Sequence, residues 1–236
     1  MIKKVFFDLD GTLLPMDQDE FTNGYFKFLI KKAEPFGYKG DELVPAIWKG
    51  TYAMVKNDGT RYNEDVFWEV FSKIIGRDTT VDKPVFEDFY ANEFNKAKDI
   101  CGFSEKSAAV VKELKSMGLG VVLASNPLFP MVAQVNRMNW AGLDAADFEY
   151  ITSYENSRFC KPNPRYYSEI LDKLGLAPEE CVMIGNDATE DYAATEAGIK
   201  TFILTPCLIN KQGRDISGLP HGEYDDIVPY VKSLMG

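Results

Sequence analysis

Histidine is almost absent from this chain: of 236 residues, only His221 is one. A Ser-His-Asp triad, a Cys-His dyad and a multi-histidine zinc site each need imidazole at a defined place. His221 lies in the stretch Gly218-Leu219-Pro220-His221-Gly222, which reads as a solvated loop. Any catalysis therefore falls to carboxylates, lysine or a metal. Cysteine is sparse as well. Cys101, Cys160, Cys181 and Cys207 contain no C-x-x-C pair, and Cys181 and Cys207 adjoin apolar runs, so they read as reduced packing residues. No apolar run approaches the roughly 18–20 residues that span a bilayer. The opening Met1 to Phe7 reaches Asp8 too soon for a secretory leader. The expectation is a cytoplasmic protein with no membrane partner. Basic residues are outnumbered, 26 Lys and Arg against 36 Asp and Glu, for a formal charge of −10. With no basic stripe to neutralise phosphates, a nucleic-acid partner is not expected. A local basic pocket remains compatible with that balance.

What is present suits an ordinary globular chain. Hydrophobic residues make up 45% and are spread throughout, which argues against disorder. Short β-favouring runs end in turn residues. Lys4 to Phe7 stops at Asp8-Leu9-Asp10-Gly11-Thr12, Leu119 to Ala124 at Ser125-Asn126-Pro127, Cys181 to Ile184 at Gly185-Asn186-Asp187, and Lys200 to Leu204 at Thr205-Pro206. Phe148 to Ile151 is a weaker run of the same kind. Helical spacing over 104–117, 164–174, 189–197 and 224–234 alternates with these runs. The alternation predicts an α/β fold: a Rossmann-like, doubly wound, mostly parallel sheet with helices on both faces.

Residues 16–99 differ. Apolar residues recur at three- and four-residue spacings, predicting helices near 18–33, 40–56, 63–76 and 81–98, with no strand among them. This stretch holds 16 of the chain's 31 aromatics, more than its share of the length. Most helical aromatic stripes are core; the alternative is a wall that faces a substrate. The expected organisation is a catalytic core of residues 1–15 and 100–236, with an all-α module at 16–99 inserted after the first strand.

In an open parallel sheet, ligands bind beyond the carboxyl ends of the strands. The expected strand ends carry Asp8 and Asp10, Ser125 and Asn126, and Asp187 and Asp191, with Lys161 in a following loop. That set suits a magnesium ion, which prefers hard oxygen ligands, and a phosphoryl group met by an ammonium and backbone N–H donors. Asp8 and Asp10 are two apart, so on a continuing strand both point to one side. Gly11 allows close backbone approach. Taken alone, D-x-D-G is equally well explained by a turn whose aspartates bond the backbone.

Taken together, the motifs are more specific. Phe6-Phe7-Asp8-Leu9-Asp10-Gly11-Thr12-Leu13 resembles the first motif of the haloacid dehalogenase-like superfamily. Ser125 after an apolar run resembles the second, Lys161-Pro162-Asn163-Pro164 the third, and Ile184 to Asp191 the acidic fourth. The resemblance implies Mg²⁺-dependent phosphoryl transfer through an aspartyl-phosphate, with Asp8 as nucleophile and Asp10 as general acid, then base. It also implies phosphate binding by Asp8, Gly11, Thr12, Ser125, Asn126 and Lys161. Asp8, the Asp10 carbonyl and Asp187 would hold the metal, with Asp191 supporting it indirectly. The fourth motif departs from the common pattern, because Asn186 stands where aspartate usually follows the glycine. The spacing of Asp187 and Asp191 favours that register; the other pairs Asn186 with Glu190 and offers a weaker ligand.

The inserted module resembles an α-helical cap, which closes over the site and contacts the leaving group. It carries 12 basic and 16 acidic residues, with no dense cationic cluster for a multiply charged leaving group. The expected activity is hydrolysis of a small phosphorylated metabolite. A sugar phosphomutase of the same fold is the alternative, and Thr12 speaks against it because such mutases more often carry an aliphatic residue there. A 2-haloacid dehalogenase would leave Asp10 and the acidic fourth motif unexplained, and a non-catalytic binding module would leave all four motifs so.

Overall fold

The computed structural model describes residues 1–236. Six parallel strands form one sheet in the order β3-β2-β1-β4-β5-β6. They are β1 (Lys4–Phe7), β2 (Gly120–Leu123), β3 (Tyr150–Ile151), β4 (Cys181–Gly185), β5 (Lys200–Leu204) and β6 (His221–Gly222). β1 is central, with Phe7 in register with Leu123 on one side and Ile184 on the other. The Asp8-Leu9-Asp10 segment thus leaves the sheet between the ends of β2 and β4.

The pleat explains why these strands read as continuous apolar runs. Val5, Phe7, Val121, Leu123, Val182 and Ile184 point to one face and join the larger core. There they meet α5 (Glu105–Ser116) and α8 (Tyr224–Ser233) through Val111, Leu114, Ile227 and Val231. Phe6, Val122 and Met183 point to the other face, against Tyr166, Tyr167 and Ile170 of α7 (Pro164–Leu174). Both faces are covered, so the strands need no polar alternation.

Four helices lie between β1 and α5: α1 (Gln18–Ala33), α2 (Gly40–Val55), α3 (Asn63–Ile75) and α4 (Lys83–Ala91). Asp17 starts α1 by accepting the amide N–H groups of Asp19 and Glu20, the usual N-cap role. The expected helix at 81–98 is two pieces, α4 and a 3-10 stretch at Glu93–Ile100, divided where Asn92 leaves helical backbone. Aromatics from these helices, among them Phe71, Phe89 and Phe94, belong to the same continuous core as the sheet face. The α3 start is also hydrogen-bonded to the loop before the third motif: Asn63 N–H donates to the Ser157 carbonyl and Glu64 N–H to the Tyr154 carbonyl, each at 2.9 Å.

Three further elements depart from the expected set. His221 is exposed but forms part of the two-residue edge strand β6. A further helix, α6 (Met131–Trp140), follows the second motif. Its inward face includes Gln134 and Arg137, both fully buried, so the apolar period that marks a helix is broken on the side that packs. The expected helix at 189–197 is a shorter 3-10 turn at Tyr192–Ala197. All four cysteines are free, and no helix is long and apolar enough to cross a membrane.

Candidate active site

β1 delivers Asp8 into a tight turn. Gly11 N–H donates to the Leu14 carbonyl at 2.8 Å, and Leu14 N–H to the Leu9 carbonyl at 2.8 Å. Gly11 has φ +82°, and a Cβ there would lie 2.3 Å from Asn186 Nδ2. Only glycine accommodates both conditions. The close approach seats the fourth motif against the first: Thr12 Oγ1 donates to Asn186 Oδ1 at 2.9 Å, and Asn186 Nδ2 to the Cys207 carbonyl at 2.6 Å. Thr12 is fully buried, so its hydroxyl is committed to Asn186 rather than open to a phosphate.

Lys161 is the centre of the constellation. Its ammonium lies 2.7 Å from Asp8 Oδ1 and 2.6 Å from Asp191 Oδ1, and the side chain is 1% exposed. Burial alone would depress its pKa; the Asp191 and Asp8 carboxylates outweigh that and push it well above the ordinary value. Asp8 moves upward. Burial is the largest cause, opposed by Lys161 and reinforced by Asp191 and Asp10. One ammonium is thus shared by two desolvated carboxylates.

Asn126 joins three motifs. Its Oδ1 accepts the Lys161 N–H at 3.2 Å and its Nδ2 donates to Glu190 Oε2 at 3.0 Å. The Ser125 carbonyl accepts the Thr152 and Tyr166 hydroxyls at 2.7 and 2.8 Å, which fixes the turn that carries the Ser125 side chain. Asp187 is placed differently from Asn186. Its Oδ1 accepts the N–H groups of Thr189 and Glu190 at 2.7 and 2.9 Å, and its own N–H donates to Asp191 Oδ2 at 2.9 Å. Asn186, not Asp187, touches the Gly11-Thr12 turn. Glu190 lies beside the cluster, and burial, with Asp187 and Asp191 adding to it, pushes its carboxyl up to about 7.

One residue here was not read from the sequence. Arg137 of α6 is fully buried and its guanidinium pairs with Asp10 Oδ2 and with Gln134 Oε1. It also lies 4.3 Å from the ring centroid of Phe129. Asp10 Oδ1 is buried and has no hydrogen-bond partner. The Arg thus anchors one oxygen of Asp10, and the other has no partner. No sequence motif marks this contact, since 127 residues separate the partners.

A divalent cation fits this donor set. No three acidic, His or Cys side chains form a ready cage, and Mg²⁺ asks for only one or two carboxylates, completing its shell with water and other oxygens. A desolvated Asp8 and the unpartnered Asp10 oxygen are the marks of a site short of positive charge.

Comparison with known proteins agrees with the fold. A glyceraldehyde 3-phosphate phosphatase of Methanothermobacter thermautotrophicus is 27% identical over 231 residues, 92% of this chain and 95% of that one. A 2-haloacid dehalogenase from Pseudomonas syringae shares the fold at a TM-score of 0.62 and 17% identity, with both chains fully covered. The HAD-hydrolase YfnB from Bacillus subtilis, bound to magnesium, does so at 0.56 and 16%, with 98% of each chain covered. The profile of the haloacid dehalogenase-like hydrolases matches residues 2–205, across the four motifs and the helices between the first two, and the chain belongs to that family.

Proposed function

We propose that the chain is a Mg²⁺-dependent phosphomonoester hydrolase working through an aspartyl-phosphate. The observation that carries this reading is the pairing of a lysine-held Asp8 with a second, arginine-anchored carboxylate, Asp10. Substitution at a carbon–halogen bond needs no acid for its leaving halide; departure of an alkoxide does.

Lys161 holds Asp8 Oδ1 and leaves the second oxygen to attack phosphorus. As the bond from phosphorus to the ester oxygen breaks, Asp10 gives that oxygen a proton and the alcohol departs. Water then attacks the phosphorus of the aspartyl-phosphate and passes a proton to Asp10. The bond to Asp8 breaks, inorganic phosphate leaves, and both aspartates are restored. Splitting the reaction this way replaces one hard displacement by two easier ones. The Ser125 hydroxyl and the Asn126 N–H would hold the transferring phosphoryl oxygens, while Lys161 balances charge. Asp8, the Asp10 carbonyl and Asp187 would hold the metal, with Asp191 supporting it through Lys161 and the Asp187 amide. When bound, Mg²⁺ supplies the positive charge that draws the phosphate in and stabilises charge on its oxygens. The helices of residues 16–99 act as a cap that excludes water and meets the leaving group.

Asp8→Asn tests the assignment. Hydrolysis of acetyl phosphate with Mg²⁺ should fall by roughly 10³-fold or more, as for loss of a nucleophile, while the far-UV spectrum is unchanged. Near-normal turnover by this variant would sink the reading. Incubation with 2-chloropropionate in the same assay should release no chloride, and incubation with sugar phosphates should release inorganic phosphate rather than an isomeric ester.

A further inference from the structure

Above the carboxylates, a cavity of about 250 Å³ lies between the helices of residues 16–99 and the strand ends. Asp10, Asn126 and Glu190 line it on the catalytic side. Its other walls are largely aromatic, with Tyr25, Trp48, Trp68, Phe86, Tyr90 and Phe129 among them, and 14 of its 23 lining residues are apolar or aromatic. The aromatic surplus of this region therefore divides in two. Phe71, Phe89 and Phe94 are fully buried core away from this space, whereas Tyr25, Trp48, Trp68, Phe86 and Tyr90 line it.

The charge of the lining is one-sided. Lys83 is its sole cation. That ammonium is already committed, 2.9 Å from Glu64 Oε1 and 5.6 Å from the Trp68 ring centroid. Three carboxylates, Asp10, Glu87 and Glu190, face the same space. A second phosphate or a carboxylate on the leaving group would lose hydration there without gaining a partner. The remaining polar groups are Gln18, Thr22, Thr51 and Asn126, the Tyr25, Tyr90 and Tyr154 hydroxyls and the unpartnered Trp68 Nε1; set among mainly aromatic walls, these neutral groups leave the larger share of the surface apolar, which favours a hydrocarbon group over a polyol. The volume is ample for a hydrocarbon group, because an apolar cavity of about 150 Å³ already accepts benzene.

Resting on the phosphatase reading, we infer that the leaving group is an uncharged, predominantly apolar alcohol about the size of one ring or a short branched chain. Anionic leaving groups, including a second phosphate, are excluded by the same lining. Trp48, which is 52% exposed, forms the outer part of the wall and contributes to this choice without holding up the core.

The test is a competition of esters whose leaving groups are primary alcohols of similar reactivity: 2-phenylethyl phosphate, glycerol 1-phosphate and phosphoglycolate, with pyrophosphate added and acetyl phosphate as a reference. We expect kcat/KM for 2-phenylethyl phosphate to exceed that for glycerol 1-phosphate by roughly 10²-fold, the scale on which hydrophobic pockets discriminate. Phosphoglycolate and pyrophosphate should fall lower still. Trp48→Ala should cut the phenylethyl-to-glycerol ratio by about tenfold, the loss of part of one apolar contact surface. Equal turnover of the alcohol esters, or preference for phosphoglycolate or pyrophosphate, overturns the inference while leaving the phosphatase reading intact. Failure to hydrolyse acetyl phosphate as well would overturn that reading and the inference with it.

Discussion

Arg137→Met should separate the two chemical steps proposed for this enzyme. Met keeps most of the stem's volume and removes the guanidinium, which reaches Asp10 and Gln134 from a fully buried position. Asp10 would then lack a partner on both oxygens, since Oδ1 already has none. Breaking a buried pair by removing one member costs about 3–5 kcal/mol. The Asp10 side chain is 20% exposed, which argues for the lower end, about 3 kcal/mol. For a chain of this length that corresponds to a fall in Tm of roughly 6–12 °C. The kinetic effect should depend on the leaving group. An alkyl phosphate needs a proton from Asp10, so phosphoenzyme formation should slow by roughly 10²-fold or more, the usual worth of a positioned acid. Acetate leaves acetyl phosphate unprotonated, so the same step from that substrate should stay within a few-fold of wild type. Hydrolysis of the phosphoenzyme needs Asp10 as base in both cases, so the variant should accumulate phosphoenzyme from acetyl phosphate. Rapid-quench measurement of acid-stable, hydroxylamine-labile phosphoprotein reads both steps. Equal slowing of phosphoenzyme formation from the two substrates would show that Arg137 only holds the fold. A Tm within 2 °C of wild type would refute the energetic argument.

Four further outcomes follow from the same geometry. Asp187→Ala should raise the Mg²⁺ concentration for half-maximal activity well above that of Asn186→Ala, and the reverse order would transfer the ligand role to Asn186. Glu190 is pushed up to about 7 by burial, so its proton is bound more tightly in the folded than in the unfolded chain. Its contribution is present at low pH and lost as pH rises through about 7; Glu190→Gln should therefore raise Tm more at pH 8.5 than at pH 5.5 in EDTA, and an equal change at both would contradict that origin. Gly11→Ala imposes a side chain at φ +82° and drives a Cβ into Asn186, so it should lower Tm by several degrees, reflecting about 1–3 kcal/mol of strain, with loss of activity. Calorimetric binding of inorganic phosphate should be strong with Mg²⁺ and vanish in EDTA; comparable affinity in EDTA would remove the metal from the binding step.

The parallel sheet was legible because its strands are buried on both faces, so each appears as a short apolar run closed by a turn. Asp8, Lys161 and Asp191 were legible for a related reason: each sits just beyond such a run or in the loop that follows, and the structure brings the three within hydrogen-bond distance. α6 was not. Its packing face carries Gln134 and Arg137, and a polar residue on the inward side erases the helical period that pattern reading depends on. The missed helix and the missed site residue are one event, since a charge is buried there only because Asp10 receives it. The aromatics of residues 16–99 gave a mixed signal, because spacing alone does not distinguish a ring that packs from a ring that lines a cavity. Trp48 and Phe71 obey the same periodicity; one is half exposed at the cavity wall and the other is fully buried.

The charge distribution of the site resolves the apparent mismatch between an acidic chain and an anionic substrate. Five carboxyl groups, Asp8, Asp10, Asp187, Glu190 and Asp191, stand beyond the strand ends, two of them, Asp8 and Glu190, shifted toward the neutral form by burial, and only two cations, Lys161 and Arg137, accompany them. Both cations are at most 1% exposed and already paired. A phosphate dianion approaching such a cluster meets net repulsion in a poorly screened setting. On the proposed reading, a dication would offset that repulsion before substrate binds. Lys161 and Arg137 serve a different end: each fixes one oxygen of an aspartate proposed to be catalytic, Asp8 and Asp10 in turn, and leaves the other without an ion-pair partner. An excess of acid is then an asset. In the proposed mechanism it would recruit a metal for the electrostatic task and leave the two buried cations to set the orientation of Asp8 and Asp10.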